Sequence, residues 1–154
     1  MHHSIFYRCL CTLLTCVLLC CYNGAVCVAA DQKGSTAGSE TIEWLSYENG
    51  LARAKAQNKK TFIYFYTGRC PYCTMMEKKT LTDKSVIALL KEKFVCVRVN
   101  LNTSPSLGAL YPVSGVPTAW FLESNGNKIG GRPGFIPAEN FLEMLNFIVD
   151  EKYK

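Results

Sequence analysis

Two cysteines near the middle of the chain have the spacing of a thiol redox site. The tetrapeptide Cys70-Pro71-Tyr72-Cys73 follows an aromatic and β-branched run at residues 61–66. Proline is favoured in the first turn of a helix, so this segment is expected to begin one. The unpaired N–H groups and the positive dipole end at that point stabilise a thiolate on Cys70 and lower its pKa. We therefore predict that Cys70 attacks disulfides and that Cys73 resolves the mixed disulfide.

Other uses of a C-x-x-C motif fit the available residues less well. A disulfide that closes so short a loop removes little entropy from the unfolded chain, so it makes a poor structural staple. Residues 31–154 contain three cysteines (Cys70, Cys73 and Cys96) and no histidine. Zinc sites with four Cys or His ligands and Cys–His hydrolase chemistry are thereby excluded. A non-catalytic copper carrier stays open, although the lack of histidine and of a methionine-rich stretch opposes it. We expect redox chemistry with no metal and no cofactor.

The strands around the motif follow from the pattern of apolar residues. Residues 61–66 predict a buried central strand, and residues 94–101 predict a second one. In the second strand Cys96 alternates with Val95 and Val97, so its side chain is expected on the opposite face of the sheet. A buried, inert thiol is the expectation for Cys96, and a third redox cysteine is the alternative.

The rest of the chain predicts the other layers of the fold. The further predicted elements are a helix within residues 42–57 capped by Ser46, a helix capped by Thr82 and Asp83, a short helix at 104–110, strands at 116–122 and 128–131 joined by a turn at 124–127, and a closing helix at 138–151. Strands that alternate with helices indicate a sheet covered on both faces, and the late hairpin makes that sheet mixed. The predicted fold class is α/β with three layers.

Composition places most of the cysteines away from the redox site. The chain has 154 residues, nine cysteines and a formal net charge of +5. This charge is too mild and too evenly spread to indicate a nucleic-acid partner. Within residues 1–30 lie the other cysteines: Cys9, Cys11, Cys16, Cys20, Cys21 and Cys27. In an apolar leader they serve as small hydrophobic residues, not as a disulfide framework.

The N-terminal segment predicts export. Residues 1–30 have the form of a secretory signal, because no charged residue lies between Arg8 and Asp31 and small residues precede Asp31. Residues 31–40 are rich in Gly, Ser and Thr and predict a flexible linker. The folded domain is then residues 41–154. An uncleaved membrane anchor and a lipidated cysteine are the alternatives. All three place the domain in the periplasm or another exported compartment.

The motifs together resemble the thioredoxin superfamily. The segment Thr67-Gly68-Arg69-Cys70-Pro71-Tyr72-Cys73 and the later Gly115-Val116-Pro117-Thr118 carry the resemblance. Within the superfamily, Trp44 and Met75-Met76-Glu77 make the chain most similar to exported thioredoxin-like proteins. These include the C-terminal domain of the periplasmic thiol:disulfide interchange transporter and the thioredoxins linked to sulfur oxidation. The resemblance implies the thioredoxin fold over about residues 42–150.

The resemblance also implies how a substrate is held. It implies a cis bond between Val116 and Pro117 in a loop that lies against the C-x-x-C and offers its backbone to the substrate chain. The residues predicted to bind substrate are Arg69, Pro71, Tyr72, Val116, Pro117, Gly134 and Phe135. An apolar rim made by Tyr66, Tyr72, Phe135 and Ile136 is a further expectation, with core packing of the tyrosines and Phe135 as the alternative.

The chain departs from ordinary thioredoxins at three positions. Arg69 stands where the tryptophan before the first cysteine is expected. Tyr64 replaces the buried acid that accepts the proton of the resolving thiol, and Arg98 corresponds to the lysine that partners this acid. Deprotonation of Cys73 must therefore be managed in another way. Glu77 is a candidate acceptor four residues further on, and an ordinary solvated glutamate is the alternative.

The predicted function is that of an exported thiol–disulfide oxidoreductase. It is expected to reduce disulfides of partner proteins as a monomer, with a membrane electron donor as a further candidate partner and membrane attachment only through an uncleaved leader. The alternatives are a glutathione-dependent, glutaredoxin-like reductase, a dithiol oxidase, and the copper carrier. The first is suggested by the C-P-Y-C tetrapeptide, which resembles that of glutaredoxins. The intervening Pro-Tyr does not set the direction of electron flow, because similar motifs differ widely in reduction potential.

Overall fold

A computed structural model describes residues 41–154, and in this part of the chain helices enclose one five-stranded sheet. The elements in chain order are β1 (Trp44–Leu45), α1 (Tyr47–Gln57), β2 (Lys60–Tyr66), α2 (Pro71–Lys79), α3 (Lys84–Lys93), β3 (Phe94–Asn100), α4 (Pro105–Leu110), β4 (Thr118–Leu122), β5 (Lys128–Pro133) and α5 (Ala138–Val149). The predicted signal at 1–30 and linker at 31–40 lie outside the described residues.

The sheet is mixed, with strand order β1-β3-β2-β4-β5. β1, β3 and β2 run parallel, whereas β4 and β5 are antiparallel to their neighbours. β2 is central, so Phe62 lies beside Cys96 of β3 on one side and Phe121 of β4 on the other. Its side chains are apolar on both faces because both faces are covered by helices.

Two apolar clusters fill the space on either side of the sheet. One cluster joins the sheet to α2, α3 and α5, and contains Phe62, Met76, Leu90 and Phe141. The other joins the sheet to α1 and α4, where residues such as Leu51 pack against its buried members. The predicted three-layer α/β class with a mixed central sheet is therefore confirmed.

Local capping explains where the helices begin and end. The Ser46 hydroxyl accepts a hydrogen bond from the Asn49 N–H at the start of α1, as predicted. The Asp83 carboxylate accepts from the N–H groups of Ser85 and Val86, so it caps α3. Thr82, predicted to share this role, does not cap α3, because its hydroxyl donates to the Lys78 carbonyl of the preceding helix.

Some boundaries differ from the predicted ones. The strand predicted from residue 116 begins at Thr118, and Pro117 has no N–H to donate to a neighbouring strand. The closing helix ends at Val149 rather than at residue 151, and Glu151 adopts a left-handed backbone conformation with φ 56°. None of the helices within residues 41–154 has the length and apolar character that crossing a membrane requires.

Candidate thiol–disulfide site

The C-x-x-C motif lies at the N-terminus of α2, directly after the central strand. Cys70 is the N-cap residue and Pro71 the first residue of the helix, as the sequence predicts. Cys70 and Cys73 are joined by a disulfide, with their Cα atoms 5.1 Å apart. The Cys73 N–H donates a hydrogen bond of 3.0 Å to the Cys70 Sγ. The first sulfur therefore occupies the place of a capping oxygen, where helix N–H groups favour negative charge.

The two cysteine residues differ slightly in exposure to solvent. Cys70 is 9% exposed and Cys73 is 2% exposed. A disulfide or thiol of another protein can therefore approach Cys70 more readily than Cys73. This is the order of attack that the sequence predicts, although the catalytic roles of the two residues stay predictions.

The turn that precedes β4 packs against the disulfide. The peptide bond between Val116 and Pro117 is cis, and the Val116 carbonyl oxygen lies 3.5 Å from the Cys70 Sγ. Thr118 steadies this turn, because its hydroxyl donates a 2.6 Å hydrogen bond to the Gly115 carbonyl. A reduced Cys70 thiol has a proton to donate to the Val116 oxygen, whereas the disulfide has none.

The loop after β5 completes the surroundings of this turn. Gly134 has φ +90°, a conformation that side chains disfavour, and its N–H donates to the Pro117 carbonyl at 2.7 Å. Gly134 is exposed and Phe135 is half-buried, so part of the loop stays open to solvent. The structure thus places this loop beside the turn that contacts the disulfide.

The predicted substrate-binding residues form a surface of mixed exposure. Arg69, Pro71 and Tyr72 are exposed, and 61% of Tyr72 faces solvent. Val116 is half-buried and Pro117 is buried. The chain therefore gathers these residues around or beside the disulfide, and their binding of substrate stays a prediction.

Two residues of the expected apolar rim pack elsewhere. Ile136 is only 4% exposed and belongs to the core cluster on the α2, α3 and α5 side. Tyr66 stacks on Tyr64 with a centroid distance of 5.8 Å, and the Arg98 guanidinium lies 4.2 Å from the Tyr66 ring centroid. Both residues are therefore held by contacts within the protein. For Tyr66 this is the alternative that the sequence left open, whereas the expected rim position of Ile136 is wrong, because its side chain is buried in the core.

The position of the missing buried acid is filled by a hydrogen-bonded tyrosine. Tyr64 is 0% exposed, and its hydroxyl donates to the Cys73 carbonyl at 3.2 Å. Burial raises the pKa of Tyr64 above its usual range, and the negative charge of Glu77 raises it further. The phenol therefore stays neutral near physiological pH and cannot act as the carboxylate that it replaces.

Glu77 forms an ion pair that the sequence analysis did not anticipate. Its carboxylate accepts a 2.5 Å hydrogen bond from Arg98, and each side chain is about one-third exposed. Glu77 is therefore neither a freely solvated glutamate nor an isolated proton acceptor. Tyr64 and Arg98 occupy the same register position on neighbouring strands, a neighbourhood that the fold sets and that no local sequence pattern marks. Glu77 lies one helical turn beyond Cys73, on the same side of α2.

The third cysteine of this region lies in the interior of β3. Cys96 is a free thiol and only 5% exposed, so the expected burial is confirmed. It shares the apolar cluster of Phe62, whereas Val97 belongs to the cluster on the opposite face. Burial raises the pKa of the Cys96 thiol to about 12. Among residues 41–154, no group of three or more His, Cys, Asp or Glu side chains is placed to hold a metal ion.

Comparisons with known proteins agree with this geometry. The family model described as a thioredoxin-like domain matches residues 47–148. The thiol:disulfide interchange protein DsbD of Vibrio vulnificus is 33% identical over 104 residues, which cover 64% of this chain and 17% of that protein. Anterior gradient protein 2 of Xenopus laevis is 34% identical over 61 residues, which cover 39% of this chain and 33% of that protein.

A solved structure extends the similarity over most of the domain. A thioredoxin from Thermus thermophilus matches with a TM-score of 0.66 and 31% identity, covering 71% of this chain and 88% of the other. The curated relatives are longer proteins, and the chain spans 33% or less of their length. The matched family segment includes the disulfide, the Val116–Pro117 turn and the loop after β5. The chain therefore belongs to the thioredoxin-like domain family.

Proposed function

We propose that this chain is an exported thiol–disulfide oxidoreductase that reduces disulfides in partner proteins. The observation that carries the proposal is the Cys70–Cys73 disulfide at the N-terminus of α2, with the Cys70 Sγ accepting the Cys73 N–H. The helix terminus that supplies this N–H favours the thiolate of Cys70 over its thiol. A thiolate is the form that attacks a disulfide.

The reaction proceeds in two exchanges of sulfur partners. In the reduced enzyme, the Cys70 thiolate attacks one sulfur of the substrate disulfide, forms a mixed disulfide and releases the other substrate sulfur as a thiolate. The Cys73 thiolate then attacks the Cys70 Sγ, restores the Cys70–Cys73 disulfide and releases the second substrate thiolate. Two electrons pass to the substrate, and a separate dithiol donor must return the enzyme to its reduced form.

Removal of the Cys73 proton needs no buried acid in this scheme. Tyr64 is neutral and its hydroxyl is engaged by the Cys73 carbonyl, while Glu77 is engaged by Arg98. The first substrate thiolate to leave is a base of about the same strength as a Cys73 thiolate. It therefore takes up the Cys73 proton as it departs, which balances the charge and prepares the second attack.

The substrate chain lies along the backbone beside the disulfide. The Val116–Pro117 turn and the Gly134–Phe135 loop hold it in extended form, and Tyr72 gives apolar contact. This part of the proposal is supported by the short approach of the Val116 carbonyl to Cys70 and by the exposure of Tyr72. The partners are protein thiols and disulfides, and the similarity to DsbD makes a membrane-bound dithiol donor a suitable source of electrons.

A trapping experiment tests the mechanism. In the reduced Cys73→Ala variant the mixed disulfide cannot be resolved. It is therefore expected to accumulate when the variant is mixed with disulfide-bonded insulin or with native partners. The matched control is Cys96→Ala, which removes a thiol but leaves the redox pair intact. Adducts in the first variant that disappear on adding dithiothreitol support the proposal. If the wild-type protein fails to reduce insulin and no adduct forms, the proposal is wrong.

A measured reduction potential sets the direction of electron flow. A reductase equilibrates with dithiothreitol or glutathione at a low potential, near that of thioredoxin, whereas a dithiol oxidase equilibrates at a much higher one. We expect the lower value. A potential in the range of strong oxidants would assign the same two cysteines to disulfide formation instead.

Export is the second part of the proposal and has its own test. We expect residues 1–30 to direct secretion and residues 31–40 to link the leader to the domain. The support is the uncharged run between Arg8 and Asp31. N-terminal sequencing of the protein recovered from the exported fraction should give a chain that begins near Asp31. Recovery of the full chain from the membrane fraction would indicate an uncleaved anchor, and recovery from the cytosol would contradict export.

A further inference from the structure

A buried hydroxyl joins the far end of α2 to the loop that borders the disulfide. Thr80 is the C-cap residue of α2 and is 0% exposed. Its Oγ1 donates a 2.5 Å hydrogen bond to the carbonyl oxygen of Ile136, which lies 56 residues further along the chain. This contact ties the helix that carries Cys70 to the segment between β5 and α5.

The segment between β5 and α5 is short and is held from both sides. Residues 134–137 connect the two elements. At one end the Gly134 N–H donates to the Pro117 carbonyl, and near the other end the Ile136 carbonyl accepts from Thr80. Phe135 lies between these two attachments. Its position relative to the Val116–Pro117 turn therefore depends on both hydrogen bonds.

We propose that Thr80 is a positioning residue for substrate docking, an inference that rests on the oxidoreductase function proposed above. Thr80 is ten residues from Cys70, about 15 Å along a helix, so it does not touch the reacting sulfurs. Its hydroxyl holds the Gly134–Phe135 loop against the Val116–Pro117 turn. The two backbone segments then present one continuous edge to an extended substrate chain.

Removal of the Thr80 hydroxyl is expected to displace the segment at residues 134–137. Without Thr80 Oγ1, the Ile136 carbonyl remains beside a buried side chain with no donor from that side. An unsatisfied buried carbonyl is unfavourable, and the loop can relieve it by shifting toward water. Such a shift separates Phe135 from the turn near Cys70. Substrates that need the docking edge are affected, whereas small disulfides that need only the sulfur are not.

The experiment compares a protein disulfide with a small one in a single turnover. The full chain is reduced, freed of reductant and mixed with increasing insulin or cystine. At timed intervals the reaction is quenched by alkylation, and the alkylated thiols on the enzyme itself are counted from its mass. The dependence of rate on concentration separates the half-saturating substrate concentration from the limiting rate. For Thr80→Val we expect the half-saturating insulin concentration to rise about fivefold, with the rate toward cystine unchanged.

Two further variants separate positioning from general stability. Thr80→Ser keeps the hydroxyl and is expected to restore insulin binding to the wild-type value. Thr61→Val is the matched control, because Thr61 is 0% exposed and its hydroxyl has no hydrogen-bond partner in the described part of the chain. This variant removes a buried hydroxyl of the same kind and should leave both substrates unaffected.

The possible results distinguish this inference from the proposed function. If wild-type protein reacts with neither insulin nor cystine, the oxidoreductase proposal fails. If the wild type reacts with both, but Thr80→Val behaves like Thr61→Val, the positioning role is wrong. A Thr80→Ser variant with weakened insulin binding also overturns it, and this test remains available if Thr80→Val does not fold. Equal losses toward insulin and cystine would show a structural role only.

Discussion

Cys70 and Cys96 have similar burial but different hydrogen-bonding surroundings. Cys70 is 9% exposed and Cys96 is 5% exposed, and both belong to the same apolar cluster. Cys70 lies where α2 begins, and its Sγ accepts an N–H from the helix. Cys96 lies inside β3, between β1 and β2, where the backbone N–H groups are used in hydrogen bonds between the strands. Exposure alone therefore does not distinguish the two thiols.

The difference in hydrogen-bonding surroundings is the reason why we propose Cys70, and not Cys96, as the nucleophile. A helix N-terminus has N–H groups without internal partners, and these groups stabilise negative charge on a nearby sulfur. The interior of a sheet offers a sulfur only desolvation, which favours the neutral thiol. The proposed nucleophile therefore lies where β2 ends and α2 begins, whereas the cysteine of the adjacent strand lies buried in the core.

The largest expected effect is the loss of activity when the sulfur at the helix terminus is removed. Cys70→Ser should lower the rate of insulin reduction at least about a thousandfold, because the nucleophile is lost. Cys96→Ser, the matched change in the sheet, should leave the rate within about twofold of the wild type. The turbidity of reduced insulin measures both. Comparable losses in the two variants would contradict the separation of roles between Cys70 and Cys96.

The features that the sequence predicts well are those that neighbouring residues determine. The C-x-x-C with its proline specifies a helix start, and the apolar run at 61–66 specifies a central strand. Ser46 and Asp83 act as caps because their side chains reach N–H groups two or three residues away. These signals are local, so they can be read without knowing the rest of the fold.

The features that the sequence does not predict join distant parts of the chain. The Glu77–Arg98 pair connects α2 with β3, and the Thr80–Ile136 hydrogen bond connects α2 with the loop before α5. No local pattern marks these pairs, because polar residues near a helix end have many partners available. They become visible only when the sheet has fixed which segments are neighbours. The contacts of Glu77 and Thr80 therefore depend on the topology of the fold and cannot be predicted from local sequence.

The next largest effect is the difference in alkylation rate between the two thiols. In the reduced protein at neutral pH, iodoacetamide should modify Cys70 at least about a hundredfold faster than Cys96. The reason is that the pKa of Cys96, raised by burial to about 12, leaves almost no thiolate. Peptide mass spectrometry after timed quenching measures each site. In urea the two rates should converge, since both surroundings are lost, and persistence of the difference there would refute the structural cause.

A smaller effect concerns stability at alkaline pH. The folded-state pKa of Cys96, about 12, lies above the value of an unfolded thiol, which is about 8.5. Its contribution to stability is therefore complete below about pH 8.5 and is lost as the pH rises toward about 12. Cys96→Val removes this dependence, because valine has no titratable group.

Denaturation of the oxidised protein measures this contribution. Near pH 10 the unfolding free energy of the wild type should have fallen relative to Cys96→Val by about 2 kcal/mol, compared with their difference at pH 7. Both proteins keep the same tyrosines, so titration of Tyr64 and Tyr111 cancels in the comparison. Parallel pH profiles for the two proteins would show that Cys96 titrates normally and would remove the electrostatic contrast with Cys70.

The smallest expected effect distinguishes the influence of the α2 N-terminus on the Cys70 thiolate from that of the Arg69 charge. Arg69 precedes Cys70 and is exposed, so its attraction for a Cys70 thiolate is weakened by water and by salt. Arg69→Gln should slow alkylation of Cys70 by no more than about threefold at low ionic strength, and the difference should vanish in concentrated salt. Arg69→Lys keeps the charge and should match the wild type. A tenfold slowing that survives salt would mean that the arginine, rather than the N–H groups of α2, distinguishes Cys70 from Cys96.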